Sequence, residues 1–363
     1  MSFGQFVLAF VSGACGLAGL RQLALALPGA PWTRPRAPWT GGGAPAADRR
    51  PAALPAAPPP APDPDLVRYT GRRPAAVSVA LPETVLEGRS SLQAEGGCVG
   101  RVTIRAASCR GSAHMRDGKP RQDAFCVGAS ADGRWIVAAV ADGVGSTAHA
   151  EVAAQAAVAA AVRLTEQAVT ERAPAERTLG GRGRGGFGPR DWEPVFRRTA
   201  AEIDDRLRTV GGGPGSPRPG RTTLLVLLAP ADPRPGRTVH IAAVGDSPAL
   251  LLRPAAGEWS FALGPGRPSG HVRDDITPAL PPGLDDLRAT TFEWEPDEVL
   301  MLATDGFATA LGNRSELSVS LAEEWGRPPD LLRFVRDVDF RRATFTDDRT
   351  VVALWPGTHD RRC

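Results

Sequence analysis

The chain has 363 residues, a hydrophobic fraction of 42% and a formal net charge of +3. This length allows one large domain or two medium ones, and the apolar content suffices for a sizeable core. The arginines are scattered and Lys119 is the single lysine, so the sequence lacks the basic stripe with interleaved aromatic residues that favours a nucleic-acid partner. Five cysteines without a CxxC pair argue against a disulfide framework and a structural zinc site, and they favour reduced thiols in the cytoplasm.

Residues 1–27 form an apolar segment that Arg21 interrupts. Its first run, from Phe6 to Leu20, is shorter than the about 20 apolar residues that span a bilayer, and its start lacks the positive charge of a signal peptide. Three interpretations stay open: a weak membrane anchor, a poor signal peptide, or residues upstream of the true start. We expect a cytoplasmic protein, with membrane association through this segment as the alternative.

Residues 28–95 are dominated by Pro, Ala, Gly and Arg. A segment of this composition cannot bury enough apolar surface to offset its loss of conformational entropy, so it is predicted to be a disordered linker. Residues 1–95 are therefore predicted to be dispensable for catalysis. A folded domain is predicted over residues 96–357, followed by a tail over residues 358–363.

Within the predicted domain, apolar runs and alternating patterns indicate strands. They cover residues 101–107, 124–127, 135–141, 222–229, 239–244, 249–252, 259–263, 299–303 and 351–355. Helices are predicted over residues 147–170, 191–207, 315–325 and 329–338. Because the strands come in consecutive runs rather than in strict alternation with helices, an α+β sandwich is favoured over a doubly wound parallel sheet.

Two of the predicted strands end in the same way. The apolar run 136–141 stops at Asp142-Gly143, and the run 299–304 stops at Asp305-Gly306. A buried strand that ends in a carboxylate delivers that carboxylate to the rim of the core. We interpret the two units as halves of one site, with a simple Asp-Gly hairpin turn as the alternative for each.

Carboxylates at strand ends form the candidate site: Asp123, Asp142, Asp246, Asp305 and either Asp347 or Asp348. No His or Cys cluster accompanies them, and all-oxygen ligands suit magnesium or manganese rather than zinc. Converging aspartates repel one another unless cations neutralise them. Two metals about 4 Å apart can share a water, lower its pKa and aim it at phosphorus. The phosphate loop of nucleotide triphosphatases and the nucleophile elbow of hydrolases are both missing.

Five short motifs carry a resemblance to a known family. They are Gln122-Asp123-Ala124-Phe125, Ala141-Asp142-Gly143-Val144-Gly145-Ser146, Gly245-Asp246-Ser247, Thr304-Asp305-Gly306 and Asp347-Asp348-Arg349-Thr350-Val351-Val352. Their order and strand contexts resemble those of the type 2C, metal-dependent Ser/Thr protein phosphatases (the PPM family). The similarity spans roughly residues 98–355 and is greatest to the compact bacterial branch.

The resemblance implies a four-layer α-β-β-α sandwich, in which two antiparallel sheets are flanked by helices and the metals lie in a cleft at one end. It implies that Asp142 bridges two Mn²⁺ or Mg²⁺ ions and that the Gly143 carbonyl binds one of them. Asp305 and Asp347 are implied to hold the second ion, with Asp348 in the place of the family's usual Asn.

The resemblance assigns roles to three further parts of the chain. Asp123 is implied to orient a metal-bound water. Asp246 matches a position that binds a third ion in some members of the family. Residues 264–284 fall where the family carries a flap on the substrate side, so they are predicted to govern substrate choice.

Two departures from the family leave roles open. Val144 stands where eukaryotic members carry a histidine, so the proton donor to the leaving group is unassigned, with water or His114 as candidates. The spacing before Asp123 is altered, so Lys119, Arg121 or His114 could bind the phosphate. Pro248 replaces a common arginine. None of these changes removes a metal ligand.

The sequence therefore predicts a phosphatase that hydrolyses phosphoserine and phosphothreonine by attack of a metal-activated water, reversing a bacterial Ser/Thr kinase. Its expected partners are phosphorylated proteins and a cognate kinase, and it is expected to be a monomer. The alternative is a catalytically silent relative that binds phosphoproteins as a regulatory module. A third interpretation, a scaffold that acts through the Pro-rich arm, is less favoured than a passive tether.

Overall fold

The structure is a computed structural model that describes residues 68–72, 90–178, 187–233, 237–266 and 277–357. The chain divides into two units, Met1–Pro59 and Pro60–Cys363, and all described residues belong to the second. The predicted segment 1–27, most of the predicted linker and the predicted tail lie outside the described residues. No helix within the described ranges is both long enough and apolar enough to cross a membrane.

The strands of the described residues form two antiparallel sheets. The first has six strands in the spatial order β1 (Leu92–Val99), β2 (Val102–Cys109), β11 (Arg349–Pro356), β10 (Val299–Ala303), β7 (Ala249–Arg253) and β8 (Glu258–Leu263). The second has five, in the order β3 (Ala124–Ala129), β4 (Trp135–Ala141), β5 (Leu224–Pro230), β6 (Thr238–Val244) and β9 (Arg288–Glu293). The α-helices are α1 (Ser112–Arg116), α2 (Ala150–Thr178), α3 (Trp192–Thr209), α4 (Asp305–Ala308), α5 (Glu316–Glu324) and α6 (Leu331–Val338).

Apolar side chains pack in three successive layers. Residues such as Ile104, Ile136 and Leu354 fill the space between the sheets. Alanines of α2, together with α3, cover the outer face of the five-stranded sheet, because small side chains let a helix approach closely. Trp325 and Phe334, at α5 and α6, cover the outer face of the six-stranded sheet. This four-layer arrangement confirms the predicted α-β-β-α sandwich.

The folded chain begins earlier than the sequence predicts. Strand β1 begins at Leu92 and pairs with β2 along its whole length. Residues 68–72 also run beside residues 341–343, since the Thr70 N–H donates to the Arg341 carbonyl oxygen at 3.1 Å. The predicted linker extends to residue 95, whereas in the structure β1 and residues 68–72 are paired with other parts of the fold. This backbone pairing orders segments that lack an apolar pattern. We propose that the domain includes residues 68–72 and 90–357.

One buried ion cluster attaches residues 68–72 to the helical layer. Arg68 Nη1 lies 2.9 Å from Glu324 Oε2 and 2.7 Å from Asp337 Oδ1. The Arg68 side chain is 10% exposed and that of Asp337 is 0% exposed. The second oxygen of Asp337 accepts a hydrogen bond from the Trp325 indole at 3.1 Å. We call Arg68, Glu324 and Asp337 the Arg68 cluster.

The cysteines only partly match the expectation of reduced thiols. Cys109 and Cys126 are free. Cys98 is disulfide-bonded, so the expectation is wrong at this position, which is exposed on the outermost strand β1.

Candidate functional site

Strand register places the first two carboxylates side by side. Asp123 directly precedes β3 and Asp142 directly follows β4. Because Ala124 pairs with Ala141 in the antiparallel ladder, both aspartates leave the five-stranded sheet at the same end.

The six-stranded sheet brings its own carboxylates to this end. Asp305 follows β10, and Asp347 lies just before β11. Ala303 pairs with Val351, so the two strand ends are neighbours. Asp246 lies in the turn between β6 and β7, close enough that its charge raises the pKa of Asp305. The structure therefore brings the two Asp-Gly strand ends together, and the charge of Asp305 raises the pKa of Asp142.

Backbone hydrogen bonds hold Asp142 in a fixed place. Its N–H donates to Thr223 Oγ1 at 3.0 Å, and its carbonyl oxygen accepts from the Thr223 N–H at 2.8 Å and from Thr222 Oγ1 at 2.9 Å. A Cβ at Gly143 would lie 2.7 Å from the carbonyl oxygen of Ala150 and 2.9 Å from that of Gln122. Only glycine fits there, and this close packing fixes the backbone at the predicted carbonyl ligand.

Asp123 lies at the floor of the cleft and joins the two sheets. Its side chain is 3% exposed, and its Oδ2 accepts a hydrogen bond from Thr304 Oγ1 at 2.7 Å. Thr304 Oγ1 in turn accepts from the Thr350 N–H at 3.0 Å. The carboxylate is thus oriented by the strand ends that carry Asp305 and Asp347.

The inner carboxylates destabilise one another's charged form. Burial, and then the charges of Asp123 and Asp305, raise the pKa of Asp142 well above its usual range. Burial, and then the charges of Asp246 and Asp347, raise the pKa of Asp305. Burial is also the main cause that raises the pKa of Asp123. Such a set needs a positive charge if it is to be ionised at neutral pH.

The donor chemistry of the cleft fits a hard cation. Asp305 Oδ1 is buried and accepts no hydrogen bond from any described residue, and a carboxylate oxygen in this state is a natural ligand for Mg²⁺ or Mn²⁺. Among the described residues, no three Asp, Glu, His or Cys side chains already stand in metal-ligating geometry.

Asp348, which the sequence offered as an alternative to Asp347 and the resemblance placed at the family's usual Asn, has a separate structural role. Its Oδ1 accepts from the Gly111 N–H and its Oδ2 from the Gln122 N–H, both at 2.6 Å. The side chain is 1% exposed, and Oδ1 also lies 3.0 Å from His114 Nδ1. Asp348 thereby fastens the loop between β2 and β3 to the cleft. Local sequence gives no signal for bonds that join residues more than two hundred positions apart.

The three candidates for phosphate binding lie in different surroundings. Burial lowers the pKa of His114, whereas the hydrogen bond and the charge of Asp348 raise it. The net shift is upward, so it favours the protonated ring. Lys119 is exposed, and its N–H donates to the His114 carbonyl oxygen at 3.0 Å. The structure does not support Arg121 in this role, because its guanidinium is buried and donates to Ser108 Oγ and to the Asp123 carbonyl oxygen.

The loop after β8 returns to the cleft through contacts at its two described ends. Gly266 N–H donates to the Gly245 carbonyl oxygen at 3.1 Å. Thr277 Oγ1 donates to Asp246 Oδ2 at 3.1 Å. The predicted flap over residues 264–284 is thus attached at the turn that carries Asp246, and its residues 267–276 lie outside the described residues.

Comparison with known families identifies the chain. A family model described as protein phosphatase 2C matches residues 110–331. The chain belongs to the protein phosphatase 2C family. The match covers the motifs at Asp123, Asp142, Asp246 and Asp305, whereas the motif at Asp347 follows it. The predicted enzyme class, a protein-serine/threonine phosphatase, is confirmed by this membership.

Several solved structures are similar to the phosphatase at low sequence identity. The S. agalactiae serine/threonine phosphatase is 14% identical over 70% of this chain and 99% of that chain, with a TM-score of 0.46. The Mycobacterium smegmatis PPM phosphatase MsPP, in complex with cacodylate, is 20% identical over 70% and 98%, with a TM-score of 0.45. RsbX in complex with magnesium is 14% identical over 72% and 98%, with a TM-score of 0.34. No curated protein sequence matches the phosphatase.

Proposed function

We propose that the cleft hydrolyses phosphoserine and phosphothreonine in proteins with the help of two divalent cations, Mn²⁺ or Mg²⁺. The observation that carries the proposal is the convergence of buried aspartates from both sheets, with raised pKa values and with the Asp305 Oδ1 atom left without a donor. When bound, the ions supply positive charge and an acidified water.

Residues at the strand ends of both sheets would hold the ions. Asp142, fixed by Thr222 and Thr223, and the Gly143 carbonyl oxygen would help to hold the ions. Asp305 and Asp347 would also hold them, and Asp246 is the candidate ligand for a third ion.

Two residues would act on the reacting groups rather than on the fold. Asp123, oriented by Thr304, would accept a hydrogen bond from the attacking water. His114, held by Asp348 with its protonated form favoured, would meet the phosphate or the leaving oxygen, with exposed Lys119 beside it. The natural substrates would be proteins phosphorylated by a Ser/Thr kinase, whose action this enzyme reverses in the cytoplasm.

The test uses the full chain with a phosphothreonine peptide and with p-nitrophenyl phosphate, with added Mn²⁺ and after treatment with a chelator. We expect hydrolysis of both substrates with Mn²⁺ and none after chelation. Calorimetry should show that Mn²⁺ binds the wild type and binds the Asp142→Asn variant far more weakly. Peptide binding without hydrolysis under all conditions would instead support a phosphoprotein-binding module.

A further inference from the structure

Both described ends of the loop after β8 attach to one turn, Gly245-Asp246. We call residues 264–266 together with Thr277 the flap stem. The Gly266 N–H donates to the Gly245 carbonyl oxygen at 3.1 Å, and Thr277 Oγ1 donates to Asp246 Oδ2 at 3.1 Å. One described end of the loop therefore contacts the carboxylate of Asp246, and the other contacts the preceding residue, Gly245.

Arg288, at the start of β9, joins the stem to this turn. Its Nη1 donates to the Gly264 carbonyl oxygen at 2.7 Å, and its Nη2 donates to the Gly245 carbonyl oxygen at 2.8 Å. The planar guanidinium holds two acceptors in a fixed relation, which a lysine ammonium on a flexible stem does not reproduce.

The backbone is packed tightly where the stem meets the turn. Gly245 has a φ of +106°, a conformation that residues with side chains rarely adopt. A Cβ at Gly266 would lie 2.5 Å from the Gly245 carbonyl oxygen. Two glycines thus permit the close approach that Arg288 bridges, and this geometry leaves little freedom in the position of the stem.

The clamp acts next to the cleft without entering it. The charge of Asp246, which the stem contacts, raises the pKa of Asp305 and acts on the Arg288 charge more strongly than that of Asp286. The side chain of Arg288 itself is bound to two backbone carbonyl groups rather than to a candidate metal ligand. Its effect would therefore pass through the stem.

We propose that Arg288 is a positioning residue for substrate recognition: by joining Gly264 to Gly245 it fixes the flap stem beside Asp246, so that the protein part of a phosphorylated substrate meets an ordered edge of the cleft. This inference rests on the proposed phosphatase function. It predicts an effect on the recognition of peptides and little effect on the ester chemistry.

The kinetic test compares Arg288→Met, Arg288→Lys and Thr277→Val with the wild type. Arg288→Met should raise KM for a phosphothreonine peptide about tenfold, the effect of losing a charge-assisted pair of hydrogen bonds, and should leave kcat for p-nitrophenyl phosphate within about twofold. Arg288→Lys should restore little of the loss, whereas Thr277→Val should show a smaller rise in KM. Arg163→Met, which removes an exposed ion pair between Arg163 on α2 and Glu202 on α3, is the matched control and should leave the kinetics on both substrates unchanged.

Hydrogen exchange provides a readout that does not depend on activity. Arg288→Met should speed exchange of the Gly266 amide about tenfold, because its acceptor at Gly245 is no longer held. The Leu280 amide, which donates to the Thr222 carbonyl oxygen at 2.8 Å, should stay within about twofold and serves as an internal reference.

The outcomes separate the two proposals. Equal losses on both substrates, full activity of Arg288→Lys, or unchanged exchange at Gly266 would each overturn the role of Arg288. An inactive wild type with the expected exchange pattern would overturn the proposed function and the recognition role, while leaving Arg288 as a clamp of the stem.

Discussion

Two acidic clusters of this molecule have opposite electrostatics. In the cleft, Asp142 and Asp305 lie among other carboxylates, and burial with like charges raises their pKa values. In the Arg68 cluster, burial also disfavours the charge of Glu324, but hydrogen bonds from Arg68 and its neighbours lower the pKa of this carboxyl to about 2. Both clusters remove carboxylates from water. Arg68 forms ion pairs with Glu324 and Asp337, whereas no cation among the described residues forms an ion pair with Asp142 or Asp305.

The difference separates a binding site from a structural one. The Arg68 cluster is complete within the chain, so it stabilises the fold and has no vacancy for a ligand. The cleft is held in place by Thr222, Thr223 and Thr304 although its charges oppose that arrangement. Rigid backbone support for mutually repelling acids is the mark of a site whose counter-charge comes from outside.

The largest effect should come from removing one carboxylate of the cleft. We expect Asp142→Asn to lower kcat by several orders of magnitude, a barrier increase of about 4 kcal/mol or more, while the metal-free protein keeps its melting temperature or gains slightly because a repelling charge is gone. Steady-state kinetics at saturating Mn²⁺ and thermal unfolding check this.

Asp132→Asn is the control for that variant. Asp132-Gly133 is a surface turn in which Asp132 Oδ1 accepts from Ser130 and Arg134, and an Asn can keep these bonds. Near-normal turnover by a folded Asp142→Asn protein would refute the metal-site assignment.

The next largest effect should come from removing the cation of the structural cluster. Arg68→Met removes the guanidinium that lies 2.7 Å from the buried Asp337, and we expect a loss of about 3 kcal/mol in the free energy of unfolding with kcat unchanged in the folded protein. Urea unfolding measures it. Asp337→Asn in the same background should recover part of the loss, and no recovery would show that packing rather than charge is responsible.

Truncation tests whether residues 68–72 belong to the folded domain. A chain that starts at residue 60 should match the full chain in stability and activity. A chain that starts at residue 96 lacks Arg68 and the start of β1, so it should be clearly less stable, although residues 1–95 are predicted to be dispensable for catalysis. Equal stability of the two truncated proteins would remove residues 68–72 from the domain.

Mn²⁺ should stabilise the cleft and leave the structural cluster unaffected. At a concentration one hundred times Kd, binding to the native state alone adds about 2.7 kcal/mol to the free energy of unfolding. We expect this gain in the wild type and in Arg68→Met, and little of it in Asp142→Asn. A similar gain in Asp142→Asn, measured by thermal unfolding at several Mn²⁺ concentrations, would place the ion elsewhere.

Lowering the pH should reduce the contribution of the Arg68 cluster to the free energy of unfolding, and this is the smallest of the expected effects. The pKa of Glu324 is 4.5 for the free side chain and about 2 in the fold, so its contribution is complete above about pH 4.5 and is lost as the pH falls toward 2. After allowance for solvent screening we expect about 1 kcal/mol. The stability gap between wild type and Arg68→Met should narrow over this range, and a constant gap would contradict the pairing.

Sequence patterns predicted the core elements well and the edges poorly. Strand β4 has the predicted bounds, 135–141, because a short unbroken apolar run is typical of a strand buried on both faces. Strand β1 and residues 68–72 carry no such pattern, and they are ordered by backbone pairing with residues far along the chain. The carboxylates of the cleft were identifiable because each ends a strand. The role of Asp348 was not, since its partners are the backbone N–H groups of Gly111 and Gln122, far away in the sequence.

The pairing of β2 with β11 determines how much of the chain must be synthesised before the enzyme can fold. Val102 lies opposite Pro356, and Cys109 opposite Arg349, so the centre of the six-stranded sheet joins segments about 250 residues apart. A ribosome must release nearly the whole domain before that sheet can close, and Asp347 arrives only with the last strand. A nascent or prematurely terminated chain is therefore left without a finished cleft.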